Sequence, residues 1–179
     1  MQILQQGDRP TLPEVLNRRE ESDAQLKQMI WKRDGTCGIR FHLNIPGEVK
    51  NNETIVRFFE KGVDHIRNTL MFSLIPLLTE KMYYGSTGPE YLAVAEEKDP
   101  HKIKRLMVDL EEKIPAGRLY DVDVVTREGE VSRESIGAEP RRCFLCERDA
   151  RICARSRAHS LEELAAWTEK QLQEGLDAE

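Results

Sequence analysis

The stretch Gly117-Arg118-Leu119-Tyr120-Asp121-Val122-Asp123-Val124-Val125 predicts a β-strand that carries two acidic residues at alternate positions. Side chains on a strand alternate between its two faces, so Asp121 and Asp123 point the same way. Tyr120, Val122 and Val124 then point toward a core. Two adjacent carboxylates repel each other unless a positive charge lies between them, and a divalent metal ion bound to a polyphosphate is a common partner for such a pair. The alternative is a solvated strand face with two ordinary surface acids.

Hydrophobic periodicity around this strand predicts alternating helices and strands. A helix begins at the capping box Thr11 to Glu14 and runs to about Lys32. The remaining predicted elements are a strand over Ile39–Ile45, a helix from Asn51 or Asn52 to about Leu70, two strands within Met71–Glu96, a helix capped by Asp99, a turn at Arg127–Glu130 into a short strand near Val131, and a last helix from Ser160. This order favours an α+β fold, a mixed β-sheet flanked by helices.

The length of 179 residues suits a single domain with its own core. We expect an N-terminal helix over 1–35, an α+β core over 36–135, and a Cys/His segment with a C-terminal helix over 136–179. The net charge of -5 argues against non-specific binding of nucleic acid. The sequence has no apolar run long enough to cross a bilayer and no signal pattern at its start, so we expect a cytoplasmic protein without a membrane partner.

Three cysteines and a histidine near the C-terminus follow the pattern C-x2-C-x6-C-x5-H. Thiolates and an imidazole at such spacing can close a tetrahedron around Zn²⁺, and a site with four protein ligands is structural. The candidate ligands are Cys143, Cys146, Cys153 and His159. The alternative is a reduced cluster without metal, since a cytosolic chain argues against disulfides. Cys37 lies far upstream and is predicted to be a buried thiol.

Basic residues concentrate in the segment 133–157 of this acidic protein, which suits a phosphorylated ligand or an acidic partner. Lys50 lies in a loop that can present an ammonium group to a phosphate. The backbone amides of the turn at 85–88 can hold a phosphate as well, although no P-loop motif follows. His42 lies on the polar face of a strand, where it either contacts a ligand or is a surface histidine.

Several of these segments together resemble the holo-citrate lyase synthase family, the phosphoribosyl-dephospho-coenzyme A transferases. The matching pieces are Leu43–Lys50, Thr87–Glu90, Gly117–Val124, and the arginine- and cysteine-containing residues between Ser132 and His159. The likeness covers roughly residues 39–164. One departure is Glu48, which stands where the family often has a second proline. The Gly-Ser turn typical of nucleotidyltransferases also lies closer to its acid pair than Gly85-Ser86 does here, so only the acid pair itself suggests a nucleotidyltransferase-like fold.

The resemblance implies transfer of a 2'-(5''-triphosphoribosyl)-3'-dephospho-coenzyme A group to a serine of the apo acyl carrier (gamma) subunit of citrate lyase, with release of diphosphate. It implies that Asp121 and Asp123 are catalytic and hold Mg²⁺ against the donor phosphates. Basic side chains would bind the anionic donor, because guanidinium groups pair with phosphate oxygens in a bidentate way. The candidates are Lys50, Arg118, Arg133, Arg141 and Arg142, although some of these arginines can instead dock the carrier or pair with nearby glutamates.

Two other functions remain open from the sequence. One is a zinc-containing nucleic-acid-binding module in which the arginines contact the nucleic acid, although net acidity and the absence of interleaved aromatic residues count against it. The other is a transferase that uses the same acid pair with a different nucleotide donor.

Overall fold

The computed structural model describes residues 3–178, which form a four-stranded sheet and five α-helices. The helices are α1 (Leu12–Trp31), α2 (Glu53–Phe72), α3 (Pro100–Lys113), α4 (Ala150–Ser156) and α5 (Leu161–Asp177). The strands are β1 (Cys37–Leu43), β2 (Leu77–Gly85), β3 (Gly88–Ala95) and β4 (Tyr120–Val125). Within residues 3–178, no helix is both long enough and apolar enough to cross a membrane.

The sheet has the strand order β2-β3-β1-β4, and every neighbouring pair of strands is antiparallel. The α+β prediction is confirmed, but the sheet is antiparallel and not mixed. The physical reason is that α2 connects β1 to β2 and α3 connects β3 to β4 as crossovers between strands of the same direction, and in each case a strand of opposite direction lies between the two. In this register His42 of β1 lies between Glu90 of β3 and Asp121 of β4, and Arg40 lies opposite Asp123.

The two faces of the sheet are covered by different helices. One face packs Ile39, Phe41, Tyr91, Tyr120 and Val122 against α2 and α3, and these residues belong to the main core. The other face packs α1 against a smaller cluster of buried residues, namely Leu26, Met29, Ile30, Leu92, Val94 and Val125. Asp121 and Asp123 share one face of β4, as the strand pattern predicted, and the structure shows that this is the α1 face.

Helix α2 approaches the core closely at Gly62, and helix α3 approaches the edge of the sheet at β4. A Cβ atom at Gly62 would lie 2.5 Å from Phe41 Cζ, so glycine lets α2 sit directly on the stacked aromatic side chains of the core. At the sheet edge, Glu111 of α3 accepts a hydrogen bond from Val122 N at 3.0 Å, and Lys104 Nζ donates to Val122 O at 3.1 Å. Helix α3 thus satisfies backbone groups that an edge strand would otherwise leave unpaired.

Several predicted boundaries differ from the structure. Residues Gly117–Leu119 form a 3-10 turn, so β4 begins at Tyr120 and not at Gly117. The predicted strand near Val131 is only an isolated bridge between Val125 and Glu130, because the chain leaves the sheet after the turn. Helix α2 extends to Phe72, and the short helix α4 lies inside the cysteine-containing segment, where no helix was predicted.

Candidate active site

A cavity of about 340 Å³ lies between the N-terminal half of α1 and the polar ends of β1, β3 and β4. Its walls contain charged side chains from elements that are far apart in the sequence. The lining residues include Arg18, Arg19, Arg40, His42, Lys50, Thr87, Gly88, Glu90, Asp121 and Asp123. The acid pair and Lys50, which the sequence proposed for separate roles, therefore share one cavity.

Asp121 lies between His42 and Arg141 and lines this cavity. Its Oδ2 atom is 3.0 Å from His42 Nε2, and its Oδ1 atom is 2.9 Å from Arg141 Nη2. Burial alone would raise the pKa of Asp121, but the bond with His42 and the charges of His42, Arg141 and Lys104 outweigh it and hold that pKa well below its usual range. Burial would lower the pKa of His42, and the Asp121 carboxylate reverses this and raises it.

Asp123 forms an ion pair with a different arginine, Arg40, and lies near a third acid, Glu130. Arg40 donates to Asp123 Oδ2 from Nε at 3.1 Å and from Nη2 at 2.8 Å. Glu130 Oε2 lies 4.0 Å from the same Arg40 Nη2 atom, and burial together with the Asp123 charge raises the pKa of Glu130. Asp121 and Asp123 lie on one face of β4 and line the same cavity, so their oxygens are the kind of ligand that a divalent ion prefers.

Helix α1 is fixed over the cavity by a buried polar contact. Glu90 is 8% exposed and accepts bonds from Arg18 Nε at 3.1 Å and from Ser22 Oγ at 2.6 Å. The Arg18 guanidinium also lies 4.0 Å from the centre of the Tyr83 ring. These contacts join α1 to β2 and β3, so the N-terminal helix is a wall of the site.

Lys50 reaches the cavity from the loop before α2. Its Nζ atom donates to Ile45 O at 2.5 Å, and burial together with the charge of Arg19 lowers its pKa. Gly88, at φ +103°, lets the β2–β3 turn approach the Lys50 backbone, since a Cβ there would lie 3.0 Å from Lys50 O. The Thr87 hydroxyl oxygen is buried in this turn without a hydrogen-bond partner in residues 3–178.

Glu111 organises the arginines next to the acid strand. Its side chain is 4% exposed and pairs with Arg133 Nη2 and with Arg141 Nη2, both at 2.5 Å. Arg141 therefore bridges Glu111 and Asp121, and this bridge joins the cysteine-containing segment to the acid pair. Arg133 bonds in addition to Glu112 and does not line the cavity.

The other two predicted phosphate ligands lie elsewhere. Arg118 donates to the carbonyl oxygen of Arg142, and its guanidinium lies 5.9 Å from the centre of the Phe144 ring. Burial and the charges of Arg141 and Arg133 lower the pKa of Arg118. Arg142 pairs with Glu147 at 2.5 Å on the exposed side of the segment. Neither side chain lines the cavity, so a donor role for them requires a ligand that extends beyond it.

The four predicted zinc ligands come together in the structure. The Sγ atoms of Cys143, Cys146 and Cys153 and a ring nitrogen of His159 all lie within 4.8 Å of one another. Cys146 Sγ is 3.5 Å from Cys153 Sγ and 3.4 Å from His159 Nε2. Tetrahedral Zn–S bonds of about 2.3 Å require S···S distances of about 3.8 Å, so this group can bind a metal ion.

Local hydrogen bonds prepare one of these thiols for ionisation. Backbone and side-chain bonds from Arg148, followed by the bond with His159, lower the pKa of Cys146 to about 6. Burial and the neighbouring thiols raise the pKa of Cys153 to about 11. The segment is attached to α5 by Phe144, whose ring stacks on Trp167 with centroids 4.4 Å apart.

Sequence reasoning missed the residues that α1 and the inner strands bring to the cavity. Arg18, Arg19 and Ser22 lie on a helix whose sequence carries no diagnostic motif, and Arg40 and Glu90 look like ordinary alternating polar positions. The signal in the sequence was spacing, because Arg40 and His42 are two residues apart, as are Asp121 and Asp123. In the structure the register of β1 and β4 places the two pairs opposite each other. His42, which the sequence left between two roles, contacts Asp121 in the cavity.

Comparison with known proteins places the chain in a family of enzymes. A family model described as apo-citrate lyase phosphoribosyl-dephospho-CoA transferase matches residues 10–175. Proteins of that name from Shigella boydii, Escherichia coli and Shigella sonnei are 35% identical to this chain over 157 residues, which is 86% of this chain and 84% of theirs. These matches favour an enzyme over a nucleic-acid-binding module. The chain therefore belongs to the apo-citrate lyase phosphoribosyl-dephospho-CoA transferase family and is a transferase.

Proposed function

We propose that this chain transfers a phosphoribosyl-dephospho-CoA group onto apo-citrate lyase. The donor is 2'-(5''-triphosphoribosyl)-3'-dephospho-coenzyme A, and the acceptor is a serine hydroxyl of the acyl carrier (gamma) subunit. The bond from the serine oxygen to the α-phosphorus forms, the bond from that phosphorus to the β-phosphate oxygen breaks, and diphosphate leaves as the serine proton is lost. The observation that carries this proposal is the acid pair at the mouth of a cation-lined cavity in a member of this family.

Asp121 and Asp123 are the residues that would hold Mg²⁺. Both lie on one strand face and line the cavity, so one ion can reach both carboxylates. Mg²⁺ is often held by only one or two carboxylates together with substrate phosphates, so two aspartates suffice. The ion would supply charge neutralisation on the phosphates. Arg40, His42 and Arg141 hold the two carboxylates in place and add positive charge around them.

Lys50 is the predicted phosphate-binding residue that lines the cavity. Arg141 lies at the cavity mouth through its bond to Asp121, and Arg133 and Arg118 lie behind it. We propose that these three arginines contact the parts of the donor that extend past the acids, because a cavity of about 340 Å³ holds only a portion of so large a molecule. Arg142, on the exposed side, is then the candidate for contact with the carrier.

The catalytic proposal is tested by the variants Asp121→Asn and Asp123→Asn, with Asp109→Asn on the exposed face of α3 as the control. Loss of a metal-holding carboxylate should reduce transfer to the purified carrier subunit by at least about a hundredfold. The control variant should transfer like the wild type. Circular dichroism checks that each variant is folded. Transfer within a few-fold of wild type in both active-site variants would overturn the assignment.

We also propose that Cys143, Cys146, Cys153 and His159 bind one structural Zn²⁺. Their ligand atoms fit a tetrahedral site, and the metal would fasten α4 and the start of α5 to the loop that carries Arg141. Elemental analysis of protein purified without chelator should find about one zinc per chain. The variant Cys146→Ser should lose the metal, whereas Cys37→Ser, outside the cluster, should keep it. Metal-free protein of unchanged stability would contradict this.

A further inference from the structure

Two adjacent arginines of α1 line the cavity, but only one of them has an acidic partner there. Arg18 pairs with Glu90 and, more weakly, with Glu21. Arg19 also lines the cavity, is exposed, and forms no ion pair within residues 3–178. The contact of Arg18 with Glu90 fixes the helical turn that carries Arg19, so the backbone at Arg19 is held beside the cavity.

The positive charge of the cavity is unevenly compensated. Arg40 and His42 are bonded to Asp123 and Asp121 at one end. At the other end Lys50 donates only to a backbone carbonyl and, like Arg19, forms no ion pair within the described residues. Two cations that share a cavity without an acid between them repel each other. An anion is the group that would relieve this repulsion.

The backbone around this end is shaped for a compact ligand. Gly88 brings the β2–β3 turn against Lys50, and the Thr87 hydroxyl is left without a partner beside it. These residues line the same cavity as Asp121 and Asp123. A guanidinium and an ammonium group that face one space suit the oxygens of a diphosphate.

We infer that Arg19 and Lys50 form a subsite that binds a diphosphate group of the donor. The inference rests on the proposed transferase function and adds helix α1 to the binding machinery. The donor contains two sources of this chemistry. One is the β,γ part of the triphosphate, which leaves, and the other is the diphosphate inside dephospho-coenzyme A. Inorganic diphosphate and dephospho-coenzyme A therefore serve as separate probes.

The test is calorimetric binding of each probe, with and without Mg²⁺, to the wild type, Arg19→Ala, Arg19→Lys and Arg105→Ala. Arg105 is an exposed arginine of α3 outside the cavity, so its loss is a matched change in charge. Arg19→Ala should weaken the binding of inorganic diphosphate by about tenfold or more, and Arg19→Lys should weaken it less. Arg105→Ala should leave the affinity unchanged. If Arg19→Ala weakens the binding of dephospho-coenzyme A alone, this would support the subsite and assign it to the coenzyme end of the donor.

Unchanged affinity of Arg19→Ala for both probes, or equal weakening by Arg105→Ala, would overturn the subsite. Failure of the wild type to bind either probe would overturn it as well. Because binding needs no acceptor, the result is separable from the transfer reaction. Diphosphate binding that depends on Arg19 in a protein that does not modify citrate lyase would support the subsite and refute the transfer. Normal transfer to citrate lyase, with an unaltered affinity of Arg19→Ala for both probes, would support the transfer and refute the subsite.

Discussion

Replacing Glu111 by Gln removes the one negative charge that two arginines share. Glu111 is 4% exposed and bonds to Arg133 and Arg141, whose side chains are 13% and 25% exposed. Glutamine keeps an oxygen for Val122 N–H, so the backbone of β4 retains its partner, but the two guanidinium groups lose the negative charge that they share. The change therefore isolates the electrostatic part of the contact.

Removing one partner of a buried ion pair costs about 3–5 kcal/mol. Arg133 and Arg141 are only partly buried and keep Glu112 and Asp121 as partners, so we expect the lower end, about 3 kcal/mol. In a chain of this size 1 kcal/mol corresponds to a Tm shift of about 2–4 °C, which gives a fall of about 6–12 °C.

The assay is thermal unfolding followed by circular dichroism, with Glu112→Gln as the control. Glu112 is 52% exposed and bonds only to Arg133, so its loss should cost about 1 kcal/mol or less. A Tm of Glu111→Gln within 2 °C of wild type, on the scale of about 2–4 °C per kcal/mol, would refute the reasoning, as would equal shifts for the two variants.

Three further outcomes are expected. Gly62→Ala should lower the free energy of unfolding by about 1–3 kcal/mol in urea titrations, because the new Cβ would lie 2.5 Å from Phe41 Cζ; a stabilised variant would show that the core yields there. Hydrogen bonds from Arg67 and Tyr91 overcome the effect of burial and lower the pKa of Glu80 from its usual value of about 4.3. The stability that the Glu80 carboxylate contributes is therefore present above about pH 4.3 and is lost as the pH falls through the folded pKa. The Tm of Glu80→Gln should accordingly depend less steeply on pH than the Tm of the wild type below about pH 4.3. Burial and the charge of Glu97 raise the pKa of Cys37 to about 11, so iodoacetamide at pH 8 should leave Cys37 unmodified in the native protein by mass spectrometry, and rapid alkylation would contradict its burial.

Local patterns in the sequence were enough to predict most elements. The capping boxes at Thr11–Glu14 and Ser160–Glu163 form as predicted, because each needs only residues within one helical turn. Alternation along β4 was enough to place Asp121 and Asp123 on one face. The spacing of the cysteines and His159 was enough to gather a possible metal site, since a short chelating turn brings its ends together whatever surrounds it.

Other features depended on contacts between distant residues. Three features follow from packing that periodicity does not encode: the antiparallel direction of every neighbouring strand pair, the covering of the β4 edge by Glu111 and Lys104, and the start of β4 at Tyr120. The predicted strand near Val131 fails for the same reason, because a strand needs a partner along its whole length and the chain there leaves the sheet.

The sequence by itself determined which residue types could do the chemistry: an acid pair on one strand face, a basic segment and a set of metal ligands. Only the tertiary structure decided which of them share a cavity. It placed Lys50 beside Arg19 and the acids, turned Arg118 and Arg142 toward the cysteine-containing segment, and made α1 a wall through the contact of Arg18 with Glu90. The physical reason is that side-chain direction along an element follows from its local period, whereas the meeting of elements follows from the burial of apolar faces across the whole chain.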